Sequence, residues 1–437
     1  MAQHYRNQKV DKDVYSLTIE RIERIFDIFD NVTVSFSGGK DSTAVLNTAL
    51  EVAERRGRLP LRAIFYDEEC IPLETVEYVT RVQHDPRVNL EWYCVPLQCR
   101  NACSSKDPFW YPWAPEDKDK WVRPLPEGAI TSLPFLEGLE RHERPGWPEI
   151  NHLIDNKSGS SIYLLGIRAQ ESLMRQAAVT NRKEDNYIIK LTEGIYKGYP
   201  IYDWQTEDVW TAPAIHDWDY NHAYDNLEML GIPAHAQRCA PPFGEEPMQK
   251  LWVFKEAFPQ IWDKMIARAP GVATAARYSN TELYGFGGGI EKPYGINWAS
   301  YIKELLEKQP ETKARVRFDM PKSEKAGQRS GERSAKGEVV QNIMSMIDSH
   351  YKMTGGLPIL VDAKHPRSGV SWKYLASIAM RGDYKGRRSL NAVAIKFEHP
   401  DFPKMLKKYE AELQKIKDEN RLWEIQPTLD SNLESKT

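Results

Sequence analysis

The sharpest chemical signal in the chain is Ser37-Gly38-Gly39-Lys40-Asp41-Ser42. Two adjacent glycines permit backbone conformations and close approaches denied to other residues. They can aim successive N–H groups at one anion, and a helix starting there adds its positive dipole end. The hydroxyls of Ser37 and Ser42 supply further donors. Lys40 would be a point charge on a phosphate, and Asp41 would hold Mg²⁺ or fix the loop. These six residues predict a phosphate cradle, with Lys40, Asp41 and Ser42 as candidates for catalytic work. The loop is not a Walker A sequence, which needs a glycine four residues ahead of the Gly-Lys pair and Ser or Thr after it. Val34 and Asp41 stand at those two positions.

The elements around the loop suit that role. Residues 15–30 carry Ile19, Ile22, Phe26 and Phe29 at helical spacing. The β-branched run Val32–Phe36 predicts a buried strand ending at the loop. A helix follows, stopping at Gly57. LRAIFYDEE reads as a second strand ending near Asp67, residues 71–84 as a helix, and Asn89–Pro96 as a third strand. This alternation predicts a parallel, twisted α/β sheet with right-handed crossovers and helices on both faces.

From 99 to 150 the alternation stops. Eight prolines and four tryptophans (Trp110, Trp113, Trp121 and Trp147) fall here. The prolines defeat regular structure, and the tryptophans require packing. Two readings fit: an ordered insertion over one end of the sheet, or a surface loop with anchoring aromatics. Ser161–Ile167 predicts the next strand. Tyr199–Trp204 leads to a helix for which Thr206 is the expected N-cap, with acids in the first turn. Asp203 and Asp208 read as packing and helix-start residues. Residues 247–268 predict an aromatic-rich helix.

Residues 311–337 hold eight Lys/Arg against four acids among Ser and Gly, the composition of a flexible basic linker. The expected organisation is 1–245 as nucleotide domain, 246–310 as helical extension, 311–337 as linker and 338–437 as a small α+β domain. In the last, Lys364, Arg367, Trp372, Lys373, Arg381, Lys385, Arg387 and Arg388 interleave charge with aromatics. That mixture suits nucleic-acid contacts, and equally a solvated basic face.

Composition narrows the classes. The 437 residues, 41% hydrophobic and 28% charged, are globular. The net charge of −3 singles out no partner. No apolar run approaches the ~20 residues of a membrane span, and the polar N-terminus lacks a signal-peptide core. Five cysteines without an even framework point to a reducing, cytoplasmic setting. Cys94, Cys99, Cys103 and Cys239 could make a four-thiolate site. However, C-x4-C-x3-C is not a standard cluster spacing, and buried free cysteine is the commoner fate. An iron–sulfur cluster is therefore not expected.

SGGKDS resembles the loop of the N-type ATP pyrophosphatases. Three later segments narrow the likeness: Gly166-Ile167-Arg168-Ala169-Gln170-Glu171-Ser172; Tyr199–Trp204 followed by Asp208-Val209-Trp210; and Asn221…Tyr224…Leu230-Gly231-Ile232. Together, over residues 15–245, they resemble the phosphoadenosine phosphosulfate (PAPS) reductase-like family. The nearest likeness is to a branch with an aromatic insertion and an added C-terminal domain. Members of that branch occur in bacterial genomes, phages and mobile elements, some beside a ParB-like protein. The resemblance implies an adenine nucleotide α-hydrolase-like fold. It implies ATP and Mg²⁺ as ligands and a ParB-like protein as a candidate partner. By position, Ser37–Ser42 would hold phosphates, Phe65–Asp67 and Gly166 would border adenosine, and Arg168 and Arg175 would bind a phosphate or sulfate. Arg168 could instead pair with Glu171 on its own helix.

The chain departs from the reductases in one respect. No cysteine follows Cys239, so the tail thiol that those enzymes use is missing. The expected activity is cleavage of ATP at the α-phosphate. The alternatives are sulfonucleotide reduction with an external thiol, and nucleotide or nucleic-acid binding without turnover.

Overall fold

The computed structural model describes residues 12–104, 109–146, 158–171, 185–243, 251–278 and 291–308, with single residues and short pieces outside those ranges. The chain divides into two units: Met1–Cys99 with Phe109–Val272, and Arg100–Pro108 with Ala273–Thr437.

The first unit is built on six strands: β1 Asn31–Phe36, β2 Leu61–Tyr66, β3 Val88–Tyr93, β4 Ser161–Leu164, β5 Ile188–Thr192 and β6 Ile195–Gly198. Their order is β3-β2-β1-β4-β6-β5, parallel except for the antiparallel β5–β6 edge pair. The strands and helices expected up to residue 167 are present, with ends moved by a few residues. The β5–β6 hairpin was not anticipated. Its turn is made by Gly194 at φ +72°, a conformation glycine adopts at no steric cost.

Alternation along the strands creates two cores. Val34, Phe36, Ala63, Phe65, Ile162 and Leu164 share one cluster with Ile22, Ile25 and Phe26 of α1 (Val14–Ile28) and Val45, Ala49 and Val52 of α2 (Lys40–Arg55). Tyr78 and Val79 of α3 (Leu73–Gln83), and Val209 and Ala212 of α4 (Thr206–His216), join the same cluster. The intervening residues Ile64, Tyr93, Tyr163 and Ile195 form a second cluster with Val95, Leu97 and Ile150. Cover for this second face comes in large part from described residues of the Pro/Trp-rich stretch, Ile130, Leu133, Phe135 and Leu136, whereas its Trp113 joins the first cluster.

Two buried charge clusters fasten the insertion to the carboxyl ends of β2 and β3. Asp67 is fully enclosed. It accepts from Arg123, from Trp92 Nε1 at 2.8 Å and from the Glu69 N–H at 2.8 Å, and its carbonyl accepts from Trp113 Nε1 at 2.9 Å. Glu69, held at φ 60°, accepts from the backbone of Trp113 (2.8 Å) and Val122 (3.0 Å). It also takes both arms of Arg268 at 2.7 and 3.0 Å. Arg268 ends α7 (Pro259–Arg268), which follows α6 (Leu251–Ala257); α5 is Ala223–Met229. The expected single helix over 247–268 is therefore two helices, broken at Phe258 with φ −134°.

In the second unit, α8 (Trp298–Lys308) buries Trp298, Ile302 and Leu306 at successive turns. A two-residue antiparallel pair joins Lys313–Ala314 to Arg333–Ser334. The expected α+β fold of 338–437, the rest of the linker and the residues from Lys364 to Arg388 named above lie outside the described residues. No helix among the described residues is long and apolar enough to cross a membrane.

Removing one partner of a buried ion pair strands the other charge without solvent, at a cost of about 3–5 kcal/mol. Arg268→Ala should lower unfolding free energy in urea by that amount. A loss under about 1 kcal/mol, the worth of an exposed pair, would contradict the anchoring role of Glu69.

Candidate functional site

Ser37–Ser42 leaves the carboxyl end of β1, where the winding order reverses: β2 and β3 lie to one side and β4 to the other. Open parallel sheets bind ligands at such switch points. Gly38 takes φ +69°, and an added Cβ would lie 3.1 Å from Thr75 and 3.2 Å from Val79. Gly39 is the N-cap of α2 and has no side chain to satisfy the first turn.

An α-helix begins with four N–H groups that have no internal partner. In α2 the Gly39 N–H reaches the Ser37 hydroxyl at 3.4 Å and the Lys40 N–H the Tyr224 hydroxyl at 3.1 Å, while the Thr43 N–H makes the first ordinary helical bond, to the Gly39 carbonyl at 3.0 Å. The N–H groups of Asp41 and Ser42 have no hydrogen-bond partner among the described residues. Beside them, Ser42 Oγ donates to the Gly39 carbonyl at 2.9 Å and accepts from the Ser37 N–H at 3.1 Å. The Ser37 and Ser42 hydroxyls are 3.0 Å apart. The arrangement sets two open N–H groups beside two serine hydroxyls at a positive helix end.

Lys40 does not extend into solvent. Its ammonium is buried, 3.5 Å from the Gln237 carbonyl, 3.6 Å from Asp41 Oδ2 and 5.3 Å from the centre of the Tyr224 ring. Burial lowers its pKa below the ordinary lysine value. Asp41 opposes that shift, while Arg238 and Arg168 add to it.

Asp41 Oδ1 accepts from Arg168 Nε at 2.6 Å. Arg168 is almost fully buried and also donates to Gln170 Oε1 at 3.1 Å and Thr206 Oγ1 at 3.4 Å. Glu171, the expected partner, is 3.8 Å away. Arg168 thus ties the loop to the start of α4. Arg175 is exposed and pairs with Glu171. Gly166 presses on the same place: an added Cβ would lie 2.6 Å from the Asp41 carbonyl carbon and 2.8 Å from the Ser42 nitrogen. Phe65 is buried edge-on against Trp92, with ring centres 5.4 Å apart.

Asp203 and Asp208 are structural, as read. Asp203 grips Arg21 through two hydrogen bonds of 2.8 and 2.6 Å. Asp208 accepts from the Gln205 N–H at 2.7 Å in a capping box. The N-cap is therefore Gln205, one residue before the expected Thr206, because Gln170 takes the Thr206 N–H at 2.9 Å.

All five cysteines are free and buried. Cys94 lies 3.7 Å from Asp67 and Cys99 3.9 Å from Glu68. The Cys103 N–H donates to Asn101 at 3.0 Å within the second unit. Cys239 interacts with Tyr224 and Thr75 near Lys40, and burial pushes its thiol up to about 12. No group of three His, Cys, Asp or Glu side chains among the described residues could hold a metal ion.

Residue-type reasoning missed Tyr224, Asn221, Thr75 and Gln237. Asn221 Nδ2 donates to the Gly38 carbonyl and to Thr75 Oγ1, both at 2.8 Å. The signal was available as the spacing Asn221…Tyr224, which places both at one end of α5.

Residues 31–227 match the phosphoadenosine phosphosulfate reductase domain, and 231–347 match a domain of unknown function, DUF3440. The Escherichia coli K12 protein YbdN is 31% identical over 312 residues, 68% of this chain and 75% of that protein. The Methanocaldococcus jannaschii protein MJ0973 is 25% identical over 271 residues, 60% of this chain and 53% of that one. Among solved structures, a Candida auris PAPS reductase in a phosphate complex is 14% identical, with 50% of this chain and 92% of that one covered at a TM-score of 0.26. Candida glabrata FMN adenylyltransferase in complex with ATP is 11% identical, with 51% and 63% covered at a TM-score of 0.28. At these scores the structural likenesses add nothing to the sheet order already described. The match to YbdN, with the reductase domain spanning the loop and all six strands, carries the assignment: the chain belongs to the phosphoadenosine phosphosulfate reductase-like family, in a form that continues into a DUF3440 domain.

Proposed function

We propose that this chain binds Mg·ATP at Ser37–Ser42 and cleaves it between the α- and β-phosphates. An acceptor nucleophile attacks the α-phosphorus, and the bond to the bridging oxygen breaks. Its electron pair leaves on pyrophosphate, AMP stays on the acceptor, and the acceptor's proton passes to water. The observation carrying this reading is the pair of open N–H groups, Asp41 and Ser42, beside two serine hydroxyls at the switch point. Donors fixed before the reaction stabilise charge developing on the departing group without reorganising. Mg²⁺ arrives with the nucleotide and draws most ligands from phosphates and water. Asp41 Oδ1 is committed to Arg168 and Oδ2 faces the Lys40 ammonium at 3.6 Å, so Asp41 would reach Mg²⁺ only by giving up the lysine.

The absent tail cysteine and the buried thiols weigh against reduction by the chain's own sulfur. A thiol pushed up to about 12 is protonated at neutral pH, and the thiolate is the nucleophile. Reduction with an external thiol is separated by product: thioredoxin-dependent sulfite release from PAPS, in place of AMP and pyrophosphate from ATP.

Ser42→Ala should lower AMP and pyrophosphate formation by about 10²-fold, the loss typical of one such donor. Formation of ADP and phosphate by the wild type would overturn the reading. Gly166→Ala should cost about 1–3 kcal/mol of stability through overpacking and abolish ATP binding, because the loop backbone must move. In the native protein at pH 8, iodoacetamide should leave Cys239 unlabelled, and mass spectrometry after unfolding should find it newly reactive. Rapid native labelling would restore thiol chemistry as a candidate.

A further inference from the structure

We propose that Tyr224 is the positioning residue of the phosphate loop: its hydroxyl takes the Lys40 N–H and so keeps the next two amides, Asp41 and Ser42, presented to phosphate. The inference rests on the reading that this loop binds phosphate, and goes beyond it by naming what sets the loop's donors.

Tyr224 is nearly fully buried on α5. Asn221 places it. The Asn221 carboxamide oxygen accepts from the Ala223 N–H at 3.0 Å and starts the helix, while its NH₂ holds the Gly38 carbonyl at 2.8 Å. Two residues three apart therefore grip the loop at Gly38 and Lys40. The ring packs edge-on against Trp210, centres 5.0 Å apart. Because the oxygen receives the Lys40 N–H, its own proton is directed to the Cys239 sulfur. Burial holds the phenol protonated, so this polarity does not change near neutral pH. A Cβ at position 39 would come within 3.3 Å of the hydroxyl, so glycine there allows the approach.

The consequence for Lys40 is specific. Its ammonium lies over the Tyr224 ring and against the Gln237 carbonyl. It braces the loop from the protein side and supplies charge to the site at one remove. Without the hydroxyl, the first N–H of α2 would lose its acceptor inside the protein, and the first turn would shift to recover one.

The test uses the full chain and Tyr224→Phe, which keeps the ring and deletes one oxygen. Calorimetry should show ATP and inorganic pyrophosphate weakened by the same factor, about tenfold, the worth of one hydrogen bond. In nucleotide-free protein, hydrogen exchange at the Lys40 amide should rise at least about tenfold, while the α2 interior and the melting temperature stay as in wild type. Asn221→Ala, which cuts the other tie, should repeat the paired loss of affinity if Tyr224→Phe does not fold. Unchanged Lys40 exchange would overturn the proposal. So would unchanged or tighter binding of ATP and pyrophosphate, which would make the hydroxyl a competitor of phosphate. If wild type and Ser42→Ala both fail to bind either ligand, the functional reading fails, and Lys40 exchange still decides whether Tyr224 holds the loop.

Discussion

A helix that begins against a sheet must settle four N–H groups. In α2 those of Gly39 and Lys40 reach the Ser37 and Tyr224 hydroxyls, and those of Asp41 and Ser42 have no partner among the described residues. An anion that takes both amides also gains the helix dipole. The two amides stay available only while neighbours prevent the loop from collapsing onto its own donors. Gly166 behind the Asp41 carbonyl, Arg168 on the Asp41 carboxylate and Asn221 on the Gly38 carbonyl are those neighbours.

The sheet's carboxyl end carries a second, separate commitment of charge. Asp67 with Arg123, and Glu69 with Arg268, are buried pairs at the turn after β2. Such pairs seldom add much net stability, because desolvation offsets attraction. Their value here is geometric. The Glu69 carboxylate collects two main-chain donors from the insertion, while Asp67 takes the insertion's Arg123 on its carboxylate and its Trp113 indole on its carbonyl, so the proline-rich stretch has one place to dock. Glu69 accepts main-chain bonds from both Trp113 and Val122, nine residues apart. Proline removes N–H groups from that stretch, and side-chain carboxylates take over work that a strand ladder would do.

How far the sequence was legible follows from the range of the forces involved. The β1–loop–α2 unit could be read because glycine spacing, β-branching and a helix start act within about ten residues. Asp208 is legible for the same reason, whereas the partner of Asp203, Arg21, lies 182 residues away. Asp67 read as a neighbour of adenosine because it ends a strand. Its enclosure depends on Arg123 and Trp113, some fifty residues later, whose approach no local pattern encodes. Arg168 reads as a phosphate or sulfate ligand by resemblance, with a pair to Glu171 as the alternative, but its main partner is Asp41, 127 residues earlier. The β5–β6 hairpin escaped because each of its two short strands carries a lysine, Lys190 and Lys197. An edge pair tolerates that composition, and it blurs the alternation that marks a strand.

Lys40 shows why residue type alone misjudges a phosphate loop. The letter K beside two glycines reads as a cation for phosphate. It is also the first helical residue of α2, and side chains in a helix lean toward its N-terminus. That lean carries Lys40 past the loop toward Tyr224 and the Gln237 carbonyl, into surroundings that penalise its charge. A lysine free in solvent would have offered a mobile charge and a loosely held loop. Buried, it gives the loop a fixed wall, and the donors left without a partner among the described residues are backbone amides, whose positions a helix sets more sharply than those of a long side chain.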